Sequence, residues 1–364
     1  MNIIINKINA IENANLNRDD SGAPKAAVIG GASRLYFSSQ SMKRPVRLAM
    51  HTVNESSYGG IRTKCLDEVV SKELIAAGCP EEKVEELSTL VSEAFVGGSK
   101  KPAAAKKGKK GEEPEEEMEE SGSTIGYFAP SEIKGVVEFL KGTEWDPSSA
   151  KDKKALTKEM AQVRKVAGCM DAVDIAIFGR MFASAPDLSV DAASCYSFAV
   201  STHEATSEVD FFTAMDDLEK GAGSAHMGTK EFGSAVMGST VVLNVDQLRV
   251  NLPGVSNEDI KNIVKDFIMA NLQHGLPKGN MTSMLPNTLP QYAVVTVCEG
   301  VACAASFETP VKAGNQGGYL QGSIEALKKE VSRINSFQKV LVSEVLADQE
   351  GFKEDVLSKV VSHV

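Results

Sequence analysis

Six cationic side chains fall within residues 17–47: Arg18, Lys25, Arg34, Lys43, Arg44 and Arg47. They face only two carboxylates there, Asp19 and Asp20. The whole chain carries a formal net charge of -10, so a local island of positive charge is suited to meeting an anion. Ser38, Ser39, Gln40 and Ser41 set neutral hydrogen-bonding groups beside those charges. Cations interleaved with neutral donors are the combination that holds a phosphodiester backbone in register. Other residues could do chemistry but lack the arrangement for it. The pairs Asp19/Asp20 and Asp216/Asp217 have no histidine or glutamate at ligand spacing. Neighbouring residues on a strand also point to opposite faces, so turn, cap or arginine-partner roles are expected rather than metal-assisted hydrolysis. His203 and His226 stand alone. Ser224 in GAGSAHMG lacks the spacing of a nucleophile elbow, and Gly30-Gly31 is too short for a dinucleotide fingerprint.

The elements that must position these residues belong to an ordinary globular composition. The chain has 364 residues, 42% hydrophobic and 24% charged, enough for a large core. Its acidic balance opposes indiscriminate coating of nucleic acid, so any such role must rest on local patches. The six cysteines, Cys65, Cys79, Cys169, Cys195, Cys298 and Cys303, form no C-x-x-C pair, and the five histidines show no zinc spacing. Reduced structural thiols are expected, with no metal and no cofactor. The N-terminal MNIIINKINAI is too short an apolar run for a signal peptide and lacks a cleavage site. No stretch approaches the ~20 apolar residues of a membrane helix. A cytoplasmic protein with no membrane partner is the expectation.

Residues 2–8 read as a strand and 34–37 as a second extended piece. A helix follows, starting near Ser39 or Ser41 and running to about Val53. It would place Gln40, Lys43, Arg44 and Arg47 on one face and Met42, Val46, Ala49 and Met50 on the other. Pro45 leaves a second possibility, a helix that begins at Pro45 after a turn over 38–44; either form offers an anion site. Residues 61–96 read as helical, with a start after Pro80. The lysine and glutamate blocks of 97–123 cannot build a core and predict a disordered insertion. Helices are expected over 131–141 and 151–168, the latter opened by Lys153, Lys154 and Lys158.

Residues 191–201 alternate as a strand that sets Tyr196, Phe198 and Val200 on one face, and 241–245 is a second strand. The glycine-bearing excursion between them carries Phe211, Phe212 and Thr213. Its apolar side chains either wedge between bases or pack the root of a hairpin. Ser256 opens a helix reaching about His274. A strand over 292–298, a helix over 323–334, a strand over 337–345 and a closing helix over 351–363 complete a mixed α and β order without internal repeats.

Six ordered motifs then point to a family. They are N-R-D-D at 17–20, G-G-x-x-R at 30–34, S-S-Q-S-x-K-R at 38–44, D-I-A-x-x-G-R-M at 174–181, D-F-F-T-A-x-D-D-L at 210–218 and G-S-A-H-x-G-T-x-E-F at 223–232. Together the chain resembles the CasC family, the repeated backbone subunits of Cascade, the type I-E CRISPR surveillance complex. The similarity runs from the first strand through the helix after residue 256 and is looser in the C-terminal third.

What the resemblance implies is an α+β fold shaped like a hand. An RRM-like, ferredoxin-type palm would be built from residues 1–60, 171–202 and 234–364. Helical fingers would occupy 61–170, and 203–233 would form a protruding β-hairpin thumb. Several copies would line up along a crRNA, each gripping a short segment, with the thumb displacing a base at intervals. By position, Asn17, Arg18, Lys25, Ser38, Gln40, Lys43, Arg44 and Arg47 match guide-backbone contacts, and Met181, Phe212 and Thr213 match the base kink. Lys153, Lys154 and Lys158 match a helix that guides the target DNA strand. The implied partners are crRNA, target DNA, neighbouring copies, other Cascade subunits and a recruited helicase-nuclease, in a non-catalytic role in antiviral defence. Sequence independence is required of such a subunit, because one protein must accept every spacer. Two alternatives stay open: a backbone subunit that also cleaves RNA with Mg²⁺ through Asp210, Asp216 or Asp217, and a scaffold that contacts only protein.

Overall fold

The isoleucine-rich start of the chain forms the middle of the main sheet, with Ile3, Ile4, Ile5 and Ile8 all buried. The computed structural model describes residues 1–95, 125–147, 158, 171–182, 186–214 and 226–364. The chain divides into two units, one of Met1–Val53 with Ala193–Val364 and one of Asn54–Ala192. In chain order the elements begin with β1 (Asn2–Ala14), β2 (Ala26–Ile29), β3 (Ala32–Phe37) and α1 (Ser39–Val53). Next come β4 (Ile61–Thr63), α2 (Leu66–Ala76), α3 (Glu81–Phe95), β5 (Gly126–Phe128), α4 (Pro130–Gly142) and α5 (Val173–Phe178). Then follow β6 (Ser194–Tyr196), β7 (Ala199–Ser201), β8 (Ser207–Ala214), β9 (His226–Asn244), α6 (Val245–Asn251) and α7 (Asn257–His274). The last are β10 (Tyr292–Glu299), α8 (Leu320–Asn335), β11 (Lys339–Asp348), β12 (Gly351–Phe352) and α9 (Glu354–Ser362).

The first unit holds a mixed α and β fold on an antiparallel sheet. Its strands run β12-β11-β10-β1-β9-β7-β3-β2, and β6 and β8 also pair with β9. In register, Ile5 faces Val295 on one side and Val241 on the other. Because β1 is paired on both edges and covered on both faces, its polar residues need internal partners. Lys7 Nζ donates to the Asn271 carbonyl at 2.8 Å, Asn9 Nδ2 to the Thr288 carbonyl at 3.0 Å, and Thr240 Oγ1 to Asn6 Oδ1 at 2.7 Å. The bonds tie the central strand to α7, to the connection between α7 and β10, and to β9.

On one face, Met42 of α1 packs with Ile11, Leu35, Phe37 and Met237, beside α7. On the other, Ile324, Leu327 and Val331 of α8 cover Ile8, Val236, Tyr292 and Val294. A strap without regular structure, residues 300–319, also crosses this second face. Ala305 donates its backbone N–H to Thr240 Oγ1 at 3.1 Å, and Val311 donates its own to the Thr202 carbonyl at 2.9 Å. The ring of Phe307 fills the space over Gly238, where a Cβ would fall 2.3 Å from it.

Several sequence expectations are corrected here. The strand read over 191–201 is two short strands. Tyr196 lies edge-on to Phe267 at 6.4 Å, on the α7 side, whereas Phe198 stacks on Tyr36. The break at Ser197, whose hydroxyl accepts from the Thr240 N–H at 2.9 Å, separates the two faces. The strand read over 241–245 is the end of a 19-residue strand, β9.

The second unit packs α2, α3 and α4 around Leu66, Val70, Leu74, Leu87, Val91, Phe95, Ile133, Val136 and Leu140. Glu81 and Glu82 occupy the first turn of α3, just after Pro80. The Lys/Glu segment 97–123 lies outside the described residues, as does all of 151–168 except Lys158. Among the described residues no helix is long and apolar enough to cross a membrane.

Candidate nucleic-acid interface

The first turn of α1 is shaped by one side chain. Asn17 Oδ1 accepts from the Ser38 N–H at 2.9 Å, the Ser38 hydroxyl at 3.2 Å and the Ser41 hydroxyl at 3.2 Å. The Ser38 carbonyl in turn accepts from the N–H of Ser41 at 3.1 Å and of Met42 at 3.3 Å. Ser38 is therefore buried and shapes the turn rather than lining its surface. The first turn contains no acidic residue, so its positive end is not offset by a carboxylate of its own.

Pro45 lies inside α1, with its ring buried beside Met42, Val46 and Met50. The helix does not begin at Pro45. Proline in a helix interior removes a donor at a cost of roughly 3 kcal/mol; here burial of its ring on the apolar face offsets part of that. Gln40, Lys43, Arg44 and Arg47 consequently share a face, with Gln40 and Arg44 exposed and Lys43 and Arg47 half-buried. Lys43 Nζ stands 5.5 Å from the centre of the Tyr196 ring, which holds the ammonium over the aromatic face.

The island contains one cation fewer than the sequence suggests. Arg34 is fully buried and donates to the backbone carbonyls of Ser201 at 2.5 Å and of Phe307 and Glu308 at 3.1 Å each. It clamps the strap onto β3. Gly30 serves the same contact, since a Cβ there would lie 1.9 Å from the Glu308 carbonyl oxygen. Arg18 is exposed and Lys25 half-buried. They sit at the neck of the loop closed by the Arg18–Pro24 bridge. Asp19 holds the turn of that loop, accepting from Ser21 Oγ at 2.7 Å and the Ala23 N–H at 3.0 Å. Those bonds keep its carboxyl below the usual carboxylate range.

In the second unit the D-I-A-x-x-G-R-M motif turns inward at every functional position except the last. Asp174 is fully buried and bonds the Tyr127 hydroxyl, while the Gly60 N–H donates to it at 3.2 Å. Gly179 adopts φ +75, which suits glycine. Arg180 pairs with Glu132 at 2.7 Å, both nearly buried, and donates through Nε to the Leu188 carbonyl at 2.8 Å. Two backbone hydrogen bonds with Val190 fix its main chain. Phe182 is buried against Phe128 at 5.3 Å. Met181, held between two anchored residues, is 82% exposed. The sequence marked the motif but held no sign of Tyr127 and Glu132 as its partners; only one carboxylate, Asp174, and one arginine, Arg180, inside an otherwise apolar motif hinted at buried polar partners.

Strands β8 and β9 form a hairpin from Ser207↔Gly233 to Ala214↔His226. Alternation puts Phe212 and Thr213 on opposite faces. Phe212 lies over Gly228, where a Cβ would fall 2.7 Å from its ring, with Lys230 Nζ 5.2 Å and the His226 ring 5.8 Å away. Phe211 is 63% exposed and does not pack a hairpin root. Asp210 is exposed opposite Lys230. Asp216, Asp217, Ser224, Lys153 and Lys154 lie outside the described residues, and Lys158 is exposed. Among the described residues no three His, Cys, Asp or Glu side chains gather where they could hold a metal ion.

Comparison with known proteins places this fold. A chain of a "CRISPR RNA-guided surveillance complex, pre-nicking" is similar over 100% of both chains, with a TM-score of 0.73 and 23% identity. A chain of a "CRISPR RNA-guided surveillance complex" is likewise similar over 100% of both, with a TM-score of 0.67 and 20% identity. At those identities the likeness is one of fold. No curated protein matches the sequence. The family described as CT1975-like protein, Cas_CT1975, matches residues 3–360, and the chain belongs to that family.

Proposed function

We propose that this chain is a non-catalytic crRNA-binding backbone subunit of a type I-E surveillance complex, several copies of which assemble along one guide. The observation that carries this reading is the join between the 17–25 loop and α1. There Asn17 organises a helix start with no acid in its first turn, and Arg18, Lys25, Lys43, Arg44 and Arg47 stand around it. Family membership and the fold shared with chains of CRISPR RNA-guided surveillance complexes support it. The order β10-β1-β9-β7, with α1 and α7 on one face, supports an RRM-like palm. We take residues 61–170, which fall within the unit Asn54–Ala192, as the fingers and the β8–β9 hairpin, within 203–233, as the thumb. The face on which RRM sheets stack bases is largely occupied by α8 and the strap, so the guide backbone is gripped at the start of α1 instead. Met181, Phe212 and Thr213 displace a base at intervals, and Lys153, Lys154 and Lys158 attend the target strand.

The test is purification of the chain with its bound nucleic acid. RNA of uniform length is expected in the wild type, and its loss is expected in the double charge reversal Lys43→Glu with Arg44→Glu. Retention of that RNA by the variant would overturn the assignment. Incubating the assembled complex with Mg²⁺ and complementary RNA tests the non-catalytic role. Regularly spaced cuts lost in Asp210→Ala, Asp216→Ala or Asp217→Ala would show that the subunit also cleaves RNA.

A further inference from the structure

Tyr36 and Phe198 form a stacked pair on the sheet, ring centres 5.3 Å apart and planes 7° from parallel. Alternation along β3 places Tyr36 on the face opposite Leu35 and Phe37, which pack beneath α1. Phe198 follows β6 and precedes β7, whose Ala199 pairs with Phe37 and Val200 with Tyr36. Continuing that register sets Phe198 across from Ser38, the residue just before α1. Phe198 is 49% exposed, so an aromatic face is open to solvent beyond the strap. The Lys25 carbonyl accepts from the Tyr36 N–H at 2.9 Å, which places Lys25 across the ladder from Tyr36 and on the same face.

We propose that Tyr36 and Phe198 are a stacking platform for a nucleobase of the bound single-stranded RNA, set beside the phosphate grip at the start of α1. The inference rests on the RNA-binding reading above and adds a contact of a different kind. Flat aromatic surface beside a cation is what a nucleotide presents the complement of: a π-face and an anionic phosphate. A protein surface would explain the apolar rings but not the Lys25 cation on the same face of the ladder. Stacking accepts any base, since each has a π-face, so the platform keeps the sequence independence that a guide-binding subunit requires.

A cross-strand aromatic pair also stiffens a sheet, so the test needs a readout that stability does not move. Full-length wild type, Phe198→Leu and Phe198→Tyr are titrated with an unstructured single-stranded RNA at several salt concentrations, with thermal melting to verify folding. Phe198→Leu should bind roughly tenfold more weakly at every salt concentration with an unchanged slope, because stacking is lost and phosphate contacts are kept. Phe198→Tyr should bind as the wild type. RNA carrying 2-aminopurine should show quenched fluorescence on the wild type and recover it on Phe198→Leu. Wild-type affinity in Phe198→Leu overturns the platform, as does a loss confined to association between protein copies. If Lys43→Glu with Arg44→Glu also binds as the wild type, RNA binding itself fails; if only the charge reversal weakens binding, the platform alone fails.

Discussion

His203 and Lys7 show how single residues set the pH range over which this fold is stable. His203 is buried, with Nδ1 2.8 Å from the Glu204 carbonyl, Nε2 accepting from the Val236 N–H at 3.1 Å and the Tyr319 ring stacked at 3.7 Å. Because Nε2 accepts, the proton belongs on Nδ1 and the ring is neutral. Burial, with the Arg34 charge adding to it, holds its pKa below the ordinary 6.5. As pH falls below 6.5 the unfolded chain takes up a proton that the folded chain resists, so stability declines. Denaturant melts at pH 5 and 7 should show this decline, and His203→Asn should reduce it. Lys7 acts with the same sign in an alkaline window. Burial brings its pKa down from 10.5 to about 8. Below about pH 8 both states are protonated and the folded state bears the full cost of the buried charge. From about 8 to 10.5 the folded state loses its proton first, so stability rises by roughly 3 kcal/mol. Lys7→Met should lose that rise in melts across this range, whatever its absolute stability.

At the scale of elements, the link between α4 and α5 decides what Met181 can do. Glu132 belongs to the first turn of α4, and its Oε2 also accepts from the Ala129 N–H at 2.8 Å. Arg180 follows α5, and their pair lies among buried groups. Removing one partner of a buried pair leaves an uncompensated charge and costs about 3–5 kcal/mol. Glu132→Gln should therefore lower the stability of this unit by roughly that amount in chemical denaturation, while Met181→Ala, at an exposed position, should change it by under about 0.5 kcal/mol. Equal effects would show that the buried pair does not set the stability around Met181. Part of this was legible in sequence: Ser256 and the acids after it mark α7 and Pro80 marks α3, whereas the hairpin around Phe212 was implied by the resemblance and not by periodicity. What escaped was tertiary. Arg34 counts as a surface cation until the strap is placed over it, and no periodicity announces the strap, because its bonds are to residues far away in the chain. Pro45 argues against a helix locally, yet packing of its ring on the apolar face prevails.

For the whole molecule the proposed function requires an acidic protein to hold a polyanion. With Arg34 internal, Arg18, Lys25, Lys43, Arg44 and Arg47 remain beside the start of α1, in a chain of net charge -10. Long-range repulsion opposes approach, so binding must depend on short-range phosphate contacts and respond steeply to salt. Each phosphate neutralised on a single strand contributes about 0.7 to the slope of log affinity against log salt concentration. Five cations engaged on one copy predict a slope of about -3.5 per protein bound. Lys43→Ala with Arg44→Ala should make it shallower by about 1.4, equally for RNAs of any sequence. Arg34→Met should leave the slope unchanged while lowering stability, because its guanidinium holds the strap and meets no phosphate. Isothermal titration of the full chain with single-stranded RNA at graded salt measures all three. A slope near zero, or one that changes with base sequence rather than with these cations, would mean that the grip at α1 is not electrostatic.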